Sequence, residues 1–139
     1  MQSAAQPDRI AVFIVEDHAA VRERLISMLH GAGRFTVVGE AETPKDAIEG
    51  ILNTIPDSVV LDIHLTGGNG LEVLRKVRAV EPGIEFVVLT NHPNAQYRHA
   101  FMSAGAVCVL DKSTEFSKLP DAIVAAGTKL YRLQRNAAH

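Results

Sequence analysis

Five side chains in this sequence combine the chemistry needed to bind a divalent cation and a phosphoryl group. They are Glu16, Asp17, Asp62, Thr90 and Lys112, and all lie at the ends of short apolar runs. Carboxylate oxygens are preferred ligands of Mg²⁺, and an aspartate can attack phosphorus to form an aspartyl-phosphate. A hydroxyl and an ammonium would bond and neutralise the remaining phosphoryl oxygens. If the fold gathers all five, the sequence predicts a metal-assisted phosphoryl-transfer site.

The apolar runs before these residues are typical of buried parallel strands, because they are nearly continuous and helix-periodic segments separate them. The runs are residues 10–15, 58–61, 86–89 and 107–110, with a further strand predicted at 35–39. Strand and helix alternate five times, which predicts an α/β fold with a doubly wound, five-stranded parallel sheet and helices on both faces. Ligand sites in such sheets lie outside the carboxyl ends of the strands. The five side chains are therefore expected to converge there.

Local signals predict where several helices begin and which faces they bury. Thr43 followed by Pro44 is typical of an N-cap and a first helical position. The buried face of that helix is predicted to include Ile55. Residues 67–70, Gly-Gly-Asn-Gly, are predicted to form a flexible loop. Leu119, Ile123 and Ala126 are predicted to form the buried face of the last helix.

Length and composition indicate one ordinary globular domain. The chain has 139 residues, 47% of them hydrophobic, and a formal net charge of −2, so no polyanion-binding signal is present. Arg75, Lys76 and Arg78 are interpreted as a solvated helix face, and Cys108 as a buried, reduced thiol. No apolar run approaches the roughly 18 residues that span a bilayer, and residues 1–9 lack the pattern of a signal peptide. We expect no membrane segment and a cytoplasmic location.

Seven short motifs together resemble those of receiver domains of two-component response regulators. They are Val15-Glu16-Asp17-His18, Val21-Arg22, Leu61-Asp62, residues 67–71, Leu89-Thr90, residues 104–106 and Leu110-Asp111-Lys112. The resemblance implies a flavodoxin-like strand order 2-1-3-4-5. It also implies a phosphoacceptor signalling domain rather than an enzyme acting on other molecules, with a histidine kinase or phosphotransfer protein as its partner.

The resemblance assigns a role to each residue of the predicted site. Asp62 would be phosphorylated. Mg²⁺ would be bound by Asp17, Asp62 and the backbone carbonyl of His64, and Glu16 would act mostly through water. The phosphoryl oxygens would be held by Thr90 and Lys112.

The resemblance also suggests domain boundaries and interaction faces. Residues 1–8 are predicted to be a flexible tail, 9–127 the receiver domain, and 128–139 a helix extension or a linker stub. The kinase is expected to dock over the first helix, whereas the fourth helix, fifth strand and fifth helix would form the output face or a homodimer interface. No direct nucleic-acid contact is expected from this segment, whether it stands alone or belongs to a longer regulator.

Three positions depart from the family pattern. Thr66 and Ser113 replace prolines that commonly follow the phosphorylated aspartate and the lysine, which frees backbone N–H groups. Val109 stands at the switch position, where the family usually has an aromatic residue that turns inward. Valine has little to rotate, so activation is expected to act through the 90–94 loop or through dimerisation.

His64, Asn91 and His92 occupy positions that border the phosphoryl group in the family and modulate its lifetime. In one interpretation a histidine orients or excludes the attacking water, and the lifetime then depends on pH near an imidazole pKa of roughly 6.5. In the other interpretation both histidines are exposed loop residues. The sequence leaves both open.

Two alternative functions compete with the phosphoacceptor interpretation. A pseudo-receiver would bind partners without phosphate chemistry, in keeping with Val109, Thr66 and Ser113. A Mg²⁺-dependent phosphatase would usually carry a second aspartate two residues after the nucleophile, where this chain has His64. A flavin site is excluded because the loop after the first strand is acidic rather than phosphate-binding.

Overall fold

The computed structural model describes residues 9–91 and 93–127. The five predicted strands are present and are separated by helices, and two short strands that were not predicted follow the third. In chain order the elements are β1 (Ile10–Val15), α1 (Ala19–Ala32), β2 (Phe35–Ala41), α2 (Pro44–Thr54), β3 (Ser58–Leu61), β4 (His64–Leu65), β5 (Gly68–Asn69), α3 (Gly70–Val80), β6 (Glu85–Thr90), α4 (Ala95–Ser103), β7 (Cys108–Asp111), a 3₁₀ turn (Phe116–Lys118) and α5 (119–127). The predicted tail and C-terminal extension lie outside the described residues.

The main sheet has five parallel strands in the order β2-β1-β3-β6-β7. This confirms the predicted flavodoxin-like order 2-1-3-4-5, since β4 and β5 form a separate two-stranded hairpin. No helix in the described ranges is both long enough and apolar enough to cross a membrane.

Helices cover both faces of the sheet, and alternate residues of each strand contribute to the two resulting cores. Phe13 and Val15 pack toward the side of α2, α3 and α4, whereas Val12 and Ile14 pack toward α1 and α5. The second core contains the predicted α5 face of Leu119 and Ile123, and Ala126 is also buried. A strand buried on both faces has no polar alternation, which explains the continuous apolar runs of the sequence.

The start of α2 was predicted correctly, and its end was not. The Thr43 side chain accepts a hydrogen bond from the Asp46 N–H, and Pro44 is the first helical residue. Ile55, however, follows the end of the helix with a φ of 45° and is 50% exposed. Its predicted place on the buried face was wrong because the chain leaves the helical path one residue earlier.

Several other expectations need correction. The 67–70 segment contains β5 and the first residue of α3, Gly70. The Asn69 side chain accepts hydrogen bonds from the Leu71 and Glu72 N–H groups and so caps α3. Arg78 is half-buried and donates to the Ile84 carbonyl, so the solvated face includes Arg75 and Lys76 but not Arg78. Cys108 is half-buried, not fully buried, because β7 is an edge strand.

Candidate functional site

The carboxyl ends of four parallel strands meet at one edge of the sheet and bring the predicted side chains together. The Asp62 N–H donates to the Val15 carbonyl, 3.1 Å away, which joins the end of β3 to the end of β1. The Lys112 N–H donates to the Thr90 carbonyl, 2.8 Å away, which joins the ends of β7 and β6. The backbone ladder therefore carries the residues that follow these strands to a common edge.

Lys112 connects two buried carboxylates at this edge. Its Nζ lies 2.8 Å from Asp62 Oδ2 and 2.5 Å from Glu16 Oε1, and the lysine side chain is only 7% exposed. Burial lowers the pKa of Lys112, but its hydrogen bonds with Asp62 and Glu16, together with their charges, outweigh that effect and raise the pKa above the ordinary 10.5. Lys112 is therefore a permanent cation at neutral pH.

The position of the Asp62 carboxylate is also fixed by the neighbouring backbone. Its Oδ1 accepts a hydrogen bond of 2.7 Å from the Ile63 N–H. Gly70, at the start of α3, packs so closely that an added Cβ would lie 2.3 Å from the Asp62 carbonyl oxygen. The Gly70 N–H also donates to the Ile63 carbonyl. Only glycine fits here, a role that the sequence reading missed because a glycine in a glycine-rich loop carries no signal of packing.

The acidic pair after β1 offers oxygen atoms suited to a hard cation. Glu16 is 1% exposed, and Asp17 Oδ1 is a buried atom that accepts no hydrogen bond within the described residues. Asp17 Oδ2 receives a long hydrogen bond of 3.4 Å from the Thr66 hydroxyl. An unpaired buried carboxylate oxygen is costly without a donor or cation, so these residues fit the oxygen-ligand set that Mg²⁺ prefers.

Two residues near the acidic pair were missed as site components by the sequence reading. The imidazole of His18 lies beside Glu16 and Asp17, and these three residues could hold a metal ion. Arg22 donates through Nη1 to the Glu16 carbonyl and through Nε to Glu40 Oε1, each at 2.7 Å. Both residues lie in motifs that carried the family resemblance, but spacing alone does not show which atoms they contact.

The two residues that replace family prolines both use groups that proline lacks. The Thr66 hydroxyl reaches Asp17, as described above. The Ser113 N–H and hydroxyl both donate to Asp111 Oδ1, at 2.8 and 2.6 Å, and these hydrogen bonds lower the pKa of Asp111. The Thr66 hydroxyl, and the N–H and hydroxyl of Ser113, are therefore engaged in the loops that flank the site.

The remaining predicted residues lie around this centre. Thr90 is fully buried at the end of β6, and Asn91 follows it as an exposed residue. His64 is exposed and meets Tyr97 of α4 edge to face, with ring centroids 5.5 Å apart. Val109 is 2% exposed, and His92 lies outside the described residues. The functions predicted for these side chains stay predictions.

Comparison with known proteins places this geometry in context. The family model described as "Response regulator receiver domain" matches residues 12–124. The chain is 30% identical over 129 residues to the DNA-binding transcriptional activator DevR/DosR of Mycobacterium tuberculosis, covering 93% of this chain and 59% of that protein. It is 32% identical over 114 residues to the response regulator GacA of Pseudomonas aeruginosa, covering 82% and 53%.

Solved structures agree with the sequence matches. A two-component response regulator of the LuxR family from Aurantimonas sp. SI85-9A1 is similar with a TM-score of 0.83 and 28% identity, over 87% of this chain and 86% of that one. The chain spans between half and three fifths of the length of the two relatives named above.

Proposed function

Because the chain belongs to the response regulator receiver domain family, we propose that it is a phosphoacceptor whose Asp62 takes a phosphoryl group from a histidine kinase or phosphotransfer protein. One observation carries the proposal: the Lys112 ammonium bonds both Asp62 and Glu16 at an edge where a buried oxygen of Asp17 accepts no hydrogen bond from the described residues. A merely structural ion pair would not need a third carboxylate beside it.

The proposed reaction uses the groups that meet at the edge of the sheet. A carboxylate oxygen of Asp62 attacks phosphorus, the new O–P bond forms, and the bond from phosphorus to the donor breaks with its electron pair leaving on the donor. Such transfer depends mainly on positioning and on neutralising charge at the phosphoryl oxygens. Lys112 and the Thr90 hydroxyl would bond those oxygens, and Glu16 would keep the lysine in position.

Mg²⁺ is the cation proposed for this site. Asp17, Asp62 and the backbone carbonyl of His64 would hold it, with Glu16 acting through water. Bound there, Mg²⁺ would supply the positive charge that offsets the carboxylates and the incoming phosphoryl group. His64, Asn91 and His92 are proposed to border the phosphoryl group and to modulate its lifetime.

Phosphorylation is proposed to switch protein contacts. The kinase would dock over α1, and the face formed by α4, β7 and α5 would contact an output partner or a second copy of the chain. Val109, at the usual switch position, would not itself turn. We propose a cytoplasmic location for this segment and no contact with nucleic acid or membrane. We propose no activity for it beyond its own phosphorylation and dephosphorylation.

Intact-mass spectrometry after incubation with acetyl phosphate and Mg²⁺ tests this function. We expect a gain of one phosphoryl group in the native protein and in Asp121→Asn, which changes an exposed aspartate of α5. We expect no gain in Asp62→Asn or without the metal. An unlabelled native protein, beside a labelled control receiver, would instead favour a pseudo-receiver that binds partners without phosphate chemistry.

A further inference from the structure

The segment that follows β7 is closed on itself by hydrogen bonds around Lys112. The Asp111 carboxylate reaches past that residue, and its Oδ1 accepts the Ser113 N–H at 2.8 Å and the Ser113 hydroxyl at 2.6 Å. The Asp111 carbonyl accepts the N–H groups of Thr114 and Glu115, at 3.3 and 2.7 Å. The Asp111 N–H in turn donates to Glu115 Oε1 at 2.9 Å. Asp111 therefore uses its N–H, its carbonyl and its carboxylate within this one short segment.

These hydrogen bonds fix the backbone from which the Lys112 side chain extends. An aspartate that bonds the N–H two residues ahead forms an Asx turn, and Lys112 is the central residue of that turn. The Lys112 N–H is fixed as well, because it donates to the Thr90 carbonyl at 2.8 Å. A proline at position 113 would restrict the backbone through its ring but could donate neither bond. In this chain the restriction therefore depends on the Asp111 carboxylate.

The position of the Lys112 ammonium matters because its two partners are buried. The lysine side chain is only 7% exposed, and its Nζ bonds Glu16 and Asp62. A lysine side chain is long and flexible, so a small rotation of its backbone moves the ammonium by a larger distance. Phosphoryl transfer depends mainly on positioning, and the segment after β7 supplies the backbone part of that positioning.

We propose that Asp111 is a positioning residue, which acts with Ser113 to hold Lys112 where its ammonium meets the phosphoryl oxygens. The inference rests on the proposed function, because that function assigns Lys112 to those oxygens. Asp111 acts through its side-chain oxygen as a hydrogen-bond acceptor, and its charge is not required. The hydrogen bonds from Ser113 also lower the pKa of Asp111, as expected for an acceptor that is engaged in the folded protein.

Four variants separate this role from ordinary stabilisation. Asp111→Ala removes the acceptor, whereas Asp111→Asn keeps a side-chain oxygen for Ser113. Asp57→Ala is the matched control, because Asp57 Oδ2 also accepts a backbone N–H, that of Ala11 at 2.8 Å. Asp57 directly precedes β3 and so lies at the opposite, amino edge of the sheet. Ser113→Ala removes only the hydroxyl bond and keeps the test decisive if Asp111→Ala fails to fold.

Two measurements report the position of Lys112. The first is the rate at which Asp62 is phosphorylated by acetyl phosphate at saturating Mg²⁺, followed by intact-mass spectrometry. The second is acetylation of the Lys112 amine by N-acetoxysuccinimide at neutral pH, located by peptide mass spectrometry. It is expressed relative to Lys76, whose side chain is 63% exposed. The second measurement does not depend on phosphorylation.

A misplacement of about 1 Å can slow a reaction about 100-fold, so we expect Asp111→Ala to slow phosphorylation by about tenfold or more. The same variant should raise the relative acetylation of Lys112. Asp111→Asn and Asp57→Ala should match the native protein in both measurements, and Ser113→Ala should change both in the direction of Asp111→Ala by a smaller amount.

The proposal is overturned if Asp111→Ala leaves either quantity at its native value, if Asp57→Ala has equal effects, or if Asp111→Asn is as slow as Asp111→Ala. Where Asp111→Ala does not fold, native values for Ser113→Ala overturn it. If the native protein is not phosphorylated, the proposed function fails, while the acetylation of Lys112 still decides whether Asp111 positions it.

Discussion

The carboxyl edge of the sheet and the face formed by α4 and β7 are held together by different forces. At the edge, the Lys112 ammonium bonds Glu16 and Asp62, and all three side chains are almost completely buried. At the face, Val109 and Phe101 belong to one apolar cluster. The guanidinium of Arg98 donates from α4 to the Val109 carbonyl at 2.9 Å.

The difference teaches that the two regions depend on different interactions and can therefore be altered by different substitutions. The edge depends on paired charges, which must stay paired while they are buried. The face depends on close packing around Val109, whose β-branched side chain has a restricted χ1, so the inward turn of an aromatic side chain is not available to it. The edge-to-face contact between His64 and Tyr97 joins the segment that follows Asp62 to α4.

The largest effect is expected from Lys112→Met, which alters the carboxyl edge alone and leaves Glu16 and Asp62 buried without their cation. Removing one partner of a buried pair costs about 3–5 kcal/mol, a large part of the stability of a small domain. We expect that loss in the free energy of unfolding measured by denaturant titration at neutral pH, together with loss of phosphorylation.

Lys76→Met is the matched control, because Lys76 forms an exposed pair with Glu72 at 3.2 Å and should cost only about 0.3–0.5 kcal/mol. The pH dependence follows from the raised pKa of Lys112. Its contribution is fully present below the ordinary value of 10.5 and is lost as the pH rises through the higher folded value. The difference between native and Lys112→Met protein should therefore shrink only above pH 10.5. A difference below about 1 kcal/mol at neutral pH would contradict burial of the charges.

A smaller effect is expected from Gly70→Ala, which adds a methyl group at the carboxyl edge of the sheet and leaves its charges unchanged. The added Cβ would meet the Asp62 carbonyl oxygen at 2.3 Å, so the backbone at Asp62 must shift. Overpacking of this kind costs about 1–3 kcal/mol, and phosphorylation should slow with it. Gly83→Ala is the control, since nothing lies within 4 Å of its added Cβ and its stability should stay within about 0.5 kcal/mol of the native value. Unchanged phosphorylation in Gly70→Ala would show that the site tolerates the shift.

The contrast between edge and face also explains what could be predicted from the sequence. Buried parallel strands are apolar throughout, and their carboxyl ends share one edge of the sheet. The strand order implied by the resemblance was therefore enough to predict from the sequence that Asp62 and Lys112 lie close together. The N-cap of α2 at Thr43 is a local sequence signal and was predicted correctly as well. These predictions depend on the backbone, which short-range patterns specify well.

Contacts between side chains of different helices, strands and loops could not be predicted from the sequence in the same way. Arg22 contacts the acidic pair from α1, and Thr66 contacts it from the turn between β4 and β5. The spacing of residues in the sequence does not indicate either contact. Ile55 was misplaced because apolar periodicity shows the face of a helix but not where the helix ends, although Pro56 just beyond it restricts the chain. The role of Val109 stays a prediction, because a buried valine is equally suited to a static core and to a switch that acts elsewhere.

The smallest effect is expected from Arg98→Met, which alters the face formed by α4 and β7 and leaves the carboxyl edge intact. Methionine keeps the apolar stem and removes the bond to the Val109 carbonyl, which should cost about 0.5–1.5 kcal/mol, whereas Arg75→Met on the exposed face of α3 should cost less. Burial and the charge of Glu115 raise the pKa of Cys108, and Arg98 opposes them. The variant should therefore raise that pKa further and slow alkylation of Cys108 at mildly alkaline pH. The phosphorylation rate should be unchanged, and a parallel fall in that rate would show that edge and face work as one unit.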